Sequence, residues 1–240
     1  SRKASFVIVL VLILAGAIRF YDFQNRITFG PEQAISLLVS ADYINEKFSL
    51  LGLPSTQRAT SQGHIIFYPP VFNYSLIPLL VIFNYKVIPI TAYFALLNLV
   101  TGLVLYFVCK KIFNRTTALF AVTIFLFNDL MINHSMFIWS VNYLPLFGIL
   151  IFYLLAKKYL KQSKILDDFW LGFLCSLAFG VEYLFLPTAF FVLILGAYFS
   201  KKRTKTLLLF LLGGIAGILP TIIFDLTHEF YHIKTLWQYL

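Results

Sequence analysis

Four short clusters of lysine and arginine interrupt an otherwise apolar chain, and they constrain its fold more than any single motif. Arg2 and Lys3, then Lys110, Lys111 and Arg115, then Lys157, Lys158, Lys161 and Lys164, and finally Lys201, Lys202, Arg203 and Lys205 hold 13 of the 19 basic residues. Between them the sequence is apolar over membrane-length stretches. Apolar residues make up 60% of the chain and Phe alone occurs 27 times, more than one water-soluble core of 240 residues can bury. The class that remains is an integral membrane protein. In lipid an open chain satisfies its backbone polar groups only as helices. The expected fold is therefore all-α, a polytopic bundle forming a single transmembrane domain over residues 1–240. The apolar runs at roughly 4–20, 88–109, 115–129, 142–158, 169–186, 187–200 and 206–224 give about seven spans.

Lysine and arginine near span ends face the cytoplasm, which sets the N-terminus inside. The net charge of +9 is then a topology signal that needs no nucleic-acid partner, and a basic inner face also favours anionic membrane lipid. Residues 5–20 have the basic start and apolar centre of a signal peptide. No small-x-small cleavage site follows Arg19-Phe20-Tyr21, so the segment reads as a retained first span. Cys109 and Cys175 lie in apolar runs and form neither a disulfide framework nor a cysteine metal site. The apolar piece from Pro69 to Tyr85 disturbs the count, because as an additional span it would push Lys110 and Lys111 outside. With Pro69, Pro70, Pro78, Asn73 and Asn84 inside it, a re-entrant or interfacial segment over residues 69–85 is expected. The chain stops shortly after Trp237 on an outer-side segment, as the N-terminal part of a longer protein would.

This parity places the chemistry-bearing groups on one side, in the elements Arg19–Tyr68, Asn128–Asn142, Glu182–Pro187 and Asp225–Leu240. The first outer loop, residues 21–68, is the longest polar stretch. Within it Gly30-Pro31 starts a helix with Glu32 in the first turn, where the positive end of the helix dipole favours a carboxylate. Ala34, Leu37, Leu38, Ala41, Ile44 and Phe48 then recur at helical spacing, opposite Gln33, Ser36, Ser40, Tyr43 and Lys47. An amphipathic helix on the outer membrane surface is expected, ended by Gly52-Leu-Pro-Ser55 and followed by a polar connector from Arg58 to Gly63. Acids in or near the membrane are candidate functional groups, here Asp22, Glu32, Asp129, Glu182 and Asp225. The alternative for each is a solvated interface residue or an ion pair with Arg19, Arg26 or Arg58.

Several short motifs occur in a suggestive order: Ile27-Thr-Phe-Gly-Pro-Glu-Gln-Ala34, Gly52-Leu-Pro-Ser55, Tyr68-Pro-Pro-Val-Phe-Asn-Tyr74, Lys110-Lys-Ile-Phe-Asn114, Trp139-Ser-Val-Asn142 and Leu219-Pro-Thr-Ile-Ile-Phe-Asp225. In this order the chain resembles the N-terminal half of the dolichyl-phosphate-mannose protein mannosyltransferase family, including bacterial aminoarabinose transferase relatives, which have the GT-C membrane glycosyltransferase fold. The resemblance implies an inverting hexosyltransferase that moves a sugar from a polyprenyl-phosphate donor to a protein, lipid or glycan acceptor on the extracytoplasmic side. It implies a multi-pass protein of the bacterial plasma membrane, or of the endoplasmic reticulum membrane in a eukaryote. Glu32 matches the family's first-loop catalytic base, although relatives more often carry Asp there, and Asp22 and Asp225 would be supporting carboxylates. A general base suits the reaction, because the acceptor hydroxyl must lose its proton as it attacks the anomeric carbon. The phosphate leaving group calls for a cation, with Arg58, Lys47 and His64 in the right loop. Tyr68 stands where relatives often place a His before the prolines, and Asn142 and Glu182 complete the expected substrate contacts. The metal-binding acids of related oligosaccharyltransferases are unmatched, so a divalent metal is not supported.

Two other classes compete. His228-Glu-Phe-Tyr-His232 fits the zinc metalloprotease pattern, in which His228 and His232 would bind metal from one helix and Glu229 would act as base. A non-enzymatic transporter or lipid-binding bundle would instead align its ionisable residues across the bilayer midplane.

Overall fold

The structure, a computed structural model, describes residues 2–46, 48–59, 63 and 65–239, the side chains of residues 2–5, 55–59, 236 and 239 excepted. About 78% of it is helical, in agreement with the all-α expectation. The chain divides into two compact units, one of Ser1–Ala34 with Leu80–Tyr153 and one of Ile35–Leu79 with Leu154–Leu240.

In the first unit α1 (Arg2–Phe20) packs with α5 (Val87–Ile112) and α6 (Arg115–Phe127). Ile8 and Ala15 are seven residues apart on one stripe of α1, and Ala118, Val122 and Leu126 recur every four residues on α6. With Tyr106 and Cys109 of α5 they form a buried core. Gly102 permits the contact, since a Cβ there would lie 2.6 Å from Leu126 Cδ2. The turn between α5 and α6 is short because Asn114 caps α6, its Oδ1 accepting from Thr117 N at 2.9 Å. Short α2 (Phe23–Arg26) and α7 (Asp129–His134) follow the C-terminal ends of α1 and α6, with Phe23, Ala95 and Met136 packed together.

Arg19 is wholly buried at the end of α1. It donates from Nη1 to Ala15 O at 3.1 Å, and from Nη2 to Asn98 Oδ1 at 2.7 Å and Leu126 O at 3.0 Å. The last carbonyls of a helix have no intrahelical donor, so the guanidinium closes the end of α6. Arg26 does the same for α1, donating from Nη1 to Ile18 O at 2.6 Å and Tyr21 O at 3.1 Å. Among the described residues neither arginine has a carboxylate partner, so both cap helices where the alternative reading of the acids would have paired them. Arg19→Met leaves Leu126 O and Asn98 Oδ1 without their donor. It is expected to lower stability by about 2–3 kcal/mol, checked by thermal unfolding in detergent.

The second unit is built on α9 (Leu166–Val181), α10 (Leu186–Tyr198) and α11 (Arg203–Gly217). α9 and α11 touch through glycine: a Cβ on Gly172 would lie 1.9 Å from Phe210 O, and one on Gly213 would lie 2.0 Å from Phe169 O. Such close backbone approach is how helices associate where lipid offers no hydrophobic drive. α11 continues into α12 (Leu219–Thr227) across a bend of 75°, at Ile218. Pro220 in the first turn of α12 lacks an N–H and its ring excludes a straight helix, which accounts for the bend. α13 (Tyr231–Tyr239) follows.

In the first loop α3 (Pro31–Asn45) starts at Pro31 as expected. Gln33 Oε1 accepts from Gly30 N at 2.8 Å, half of a capping box. The helix ends at Asn45, well before Gly52, and Phe48 lies beyond it, stacked on Tyr74 at 4.9 Å. Its amphipathy has the opposite sense to a helix resting on a soluble core. Ser36, Ser40 and Tyr43 are buried, Ser40 at 0% exposure, while Leu38 is 63% exposed. Asn73 of α4 (Val71–Ile82) donates to Ser40 Oγ at 3.0 Å, and Ser40 Oγ donates to Ser36 O at 2.7 Å. The polar stripe joins the protein together with Leu37, while Leu38 and Ile44 of the apolar stripe face outward. The connector expected from Arg58 to Gly63 overlaps an antiparallel hairpin of β1 (Pro54–Ala59) and β2 (Ile65–Phe67), closed at its base by Gly52 N donating to Tyr68 O at 2.8 Å.

Each of the seven expected spans falls on helical structure, the last of them, 206–224, on two helices joined by a bend, and their lengths do not all suffice. Val87–Ile112 and Ser140–Tyr159, which includes α8 (Leu144–Tyr159), are long and apolar enough to cross a membrane, and α11 with α12 makes a third if the bent pair is one span. The apolar parts of the others are shorter, such as Phe6–Phe20 and Arg115–Phe127. At 1.5 Å per residue the 12 residues of α4 reach about 18 Å, against a hydrocarbon core of roughly 30 Å.

Candidate functional site

The candidate residues fall into two groups, one in each unit. In the first, Glu32 stands exposed in the opening turn of α3. Pro31 supplies the preset backbone angle and the buried Gln33 turns back to cap, while Glu32 is exposed beside them. Asp22 is exposed in a left-handed conformation with φ 48°, and its Oδ1 accepts from Asn25 Nδ2 at 2.7 Å. That bond holds the corner between α1 and α2. Asn142 is half-buried in the 3₁₀ turn Ser140–Tyr143 and donates from Nδ2 to Phe137 O at 2.9 Å, folding its own loop. Phe137 stacks on Trp139 with centroids 5.4 Å apart, and the His134 ring packs at an angle against both. Asp129 is exposed and accepts from Asn133 at 3.0 Å.

In the second unit Tyr68, Glu182 and Asp225 are drawn toward the hairpin. Tyr68 stacks on Tyr183 with centroids 4.8 Å apart, and the Tyr183 hydroxyl donates to Phe67 O. Glu182 caps the turn that carries Tyr183, its Oε1 accepting from Leu184 N at 3.2 Å. Tyr231 donates to Ile65 O at 2.9 Å and packs against Phe67. The next residue, His232, is buried, and its Nδ1 donates to Asp225 Oδ1 at 2.7 Å. The same carboxylate oxygen accepts from His232 N at 3.0 Å, which caps α13. Asp225 therefore orients an imidazole and leaves Nε2 as the other ring nitrogen, buried and, among the described residues, without a hydrogen-bond partner. This pairing was legible only as an Asp and a His seven residues apart, a spacing that on a straight helix would leave them about 10 Å apart, out of hydrogen-bond reach. His64 and Lys47 lie outside the described residues, and of Arg58 the backbone alone is described, within β1.

The zinc pattern loses its geometry here. His228 ends α12, Glu229 and Phe230 turn through left-handed conformations with φ 54° and 58°, and α13 begins at Tyr231. His228 and His232 are thus not one turn apart on a single helix, as the protease arrangement requires. His228 Nδ1 instead donates to Phe224 O at 3.0 Å with its ring stacked on Phe224, and His232 Nδ1 is held by Asp225.

Asp225→Ala is expected to release the start of α13 and the His232 ring together. Two hydrogen bonds to one buried carboxylate point to a loss of about 2 kcal/mol. Backbone hydrogen exchange over residues 231–239 should accelerate, and unchanged protection there would refute the capping role. Comparison with protein-family models, with curated proteins and with solved structures finds no match to this chain.

Proposed function

We propose that the protein is a membrane glycosyltransferase of the GT-C type, which transfers a sugar from a polyprenyl-phosphate carrier to an acceptor hydroxyl on the extracytoplasmic side, with inversion. The observation that carries this reading is Glu32, an exposed carboxylate at the start of a capped helix in the loop after the first apolar helix, within the motif that matches the family's base. In the reaction the bond between the anomeric carbon and the phosphate oxygen breaks and the acceptor oxygen bonds to that carbon. The hydroxyl proton passes to Glu32, and the carrier leaves as polyprenyl phosphate.

On this reading the seven apolar runs are seven spans, the shorter helices being packed among neighbours in a wider bundle. The N-terminus is cytoplasmic and α4 is re-entrant. Arg58 or His64 meets the phosphate, Tyr68 and Glu182 contact the donor, and Asn142 shapes the second outer loop. Asp22 supports the first-loop corner, and Asp225 acts through His232. The test is transfer of labelled sugar from a polyprenyl-phosphate donor by the full-length protein. Transfer that survives Glu32→Gln at the wild-type rate would overturn the assignment of the base, and failure with every polyprenyl-phosphate donor would overturn the reaction class.

A further inference from the structure

Six lysines converge on one cavity in the second unit. It has a volume of about 390 Å³ and lies where the turn between α8 and α9 meets the turn between α10 and α11. Lys158, Lys161 and Lys164 line it from the first turn and Lys201, Lys202 and Lys205 from the second. Its floor is rigid. Lys158 Nζ donates to Asp168 Oδ1 and, at 3.1 Å, to Thr206 Oγ1, and Thr206 Oγ1 donates to Asp168 Oδ2 at 2.9 Å. Ser200 Oγ lies 2.8 Å from Thr206 Oγ1 and extends the network to the second turn.

Charge is left over above this floor. Asp168 neutralises Lys158, and the nearby Asp167 is taken by Lys157 at 2.6 Å. Among the described residues none of the other five lysines has a carboxylate within ion-pair distance. An inner-face topology signal requires positive charge on this side of the membrane, but it does not require five unpaired cations to face one concavity, where they repel. α11 adds to the field, because it begins at this cavity with no side-chain cap and no acid in its first turn. Its free N–H groups and the positive end of its dipole are therefore available to an anion.

The rim indicates what brings the anion. Tyr159, Tyr198 and Trp170 beside these turns are 66%, 70% and 49% exposed, and Ile165 and Leu166 are exposed with them. Exposed Tyr and Trp next to lysines mark the level of lipid headgroups. An anion attached to an apolar tail matches both surfaces, and a free anion matches only the first. We propose that this cavity binds the phosphoryl group of an anionic membrane lipid, with the headgroup among the lysines and the acyl chains along the exposed apolar rim. The site involves none of the residues assigned to sugar transfer.

The test uses the full-length protein in a neutral detergent, titrated with phosphatidylglycerol, phosphatidylcholine and inorganic phosphate, with lipid adducts read by native mass spectrometry and unfolding read by Tm. Phosphatidylglycerol is expected to bind and raise Tm, and phosphatidylcholine to do neither. Lys202→Gln with Lys205→Gln should weaken phosphatidylglycerol roughly thirtyfold, about fivefold for each lysine. Lys161→Gln with Lys164→Gln, from the facing wall, should do the same. Lys110→Gln with Lys111→Gln removes equal charge from the end of α5 and should change binding less than about twofold. Equal losses in all three double variants would reduce the cavity to diffuse surface charge and overturn the site. Saturable binding of inorganic phosphate that displaces the lipid would assign the cavity to a free anion and overturn the lipid proposal.

Discussion

Gly213→Ala is expected to unseat α11 from α9, whereas Gly214→Ala, one residue along the same helix, should leave the protein as stable as the wild type. A methyl at Gly213 would sit 2.0 Å from Phe169 O and 2.8 Å from Phe173 N, while at Gly214 nothing lies within 4 Å. Both atoms struck at Gly213 are backbone, so no rotamer change relieves the clash and the helices must separate by about 1 Å or more to restore contact distance. Overpacking typically costs 1–3 kcal/mol, and movement of a whole helix belongs at the upper end, so a loss of about 3 kcal/mol is expected. For a chain of this size that lowers Tm by roughly 6–12 °C. Gly172→Ala, which meets Phe210 O from the other side, should match Gly213→Ala. Gly217→Ala should be milder, because its nearest obstacle is the Ser176 hydroxyl, which can rotate. Equal melting of the Gly213 and Gly214 variants would show that the two helices do not rely on this contact.

The glycines were in plain view as Gly213-x-x-x-Gly217 on one helix and Gly172-x-x-x-Ser176-x-x-x-Gly180 on the other, the small-residue spacing of packed membrane helices. Read as apolar content they indicated spans and not partners. Helix positions were legible because apolar runs in lipid have one backbone solution. Helix lengths were less so, since the 75° bend at Ile218 and Pro220 depends on where a proline breaks a run that reads as continuous. The stripe along α3 was visible, and its sense was not: Ser36, Ser40 and Asn73 bond to one another inside the unit. Around the candidate site, the start of α3 and the place of Glu32 followed from Gly30-Pro31. The Asp225–His232 pair did not, because it depends on left-handed Glu229 and Phe230, and neither is a glycine or asparagine that would announce such a turn. A local pattern of two histidines drew attention to the same segment for a geometry that the helix break denies.

Glu32→Gln is expected to lower kcat for sugar transfer by about 10²–10⁴-fold, the range that positioned proton transfer contributes. The substitution keeps the shape of the side chain and removes the carboxylate that, on the proposed mechanism, takes the acceptor proton. It should also leave the fold intact: the side chain is exposed, Pro31 still begins α3, and Gln33 still caps through Gly30 N at 2.8 Å. Loss of a first-turn carboxylate costs helix stability about 0.3–1 kcal/mol, too little to unfold the protein. The kinetic pattern distinguishes the roles a carboxylate can have here. A general base acts in the transition state, so kcat falls while the KM for the polyprenyl-phosphate donor stays within a few-fold. A donor-binding group would raise KM at constant kcat. Asp22→Asn is the matched control, because Asp22 is also an exposed first-loop carboxylate, one whose Oδ1 accepts from Asn25 Nδ2 at 2.7 Å. Its kcat should fall by less than about tenfold. If Asp22→Asn rather than Glu32→Gln abolished transfer, the base would lie at the corner between α1 and α2, and the helix start at Gly30-Pro31 would have a purely structural role.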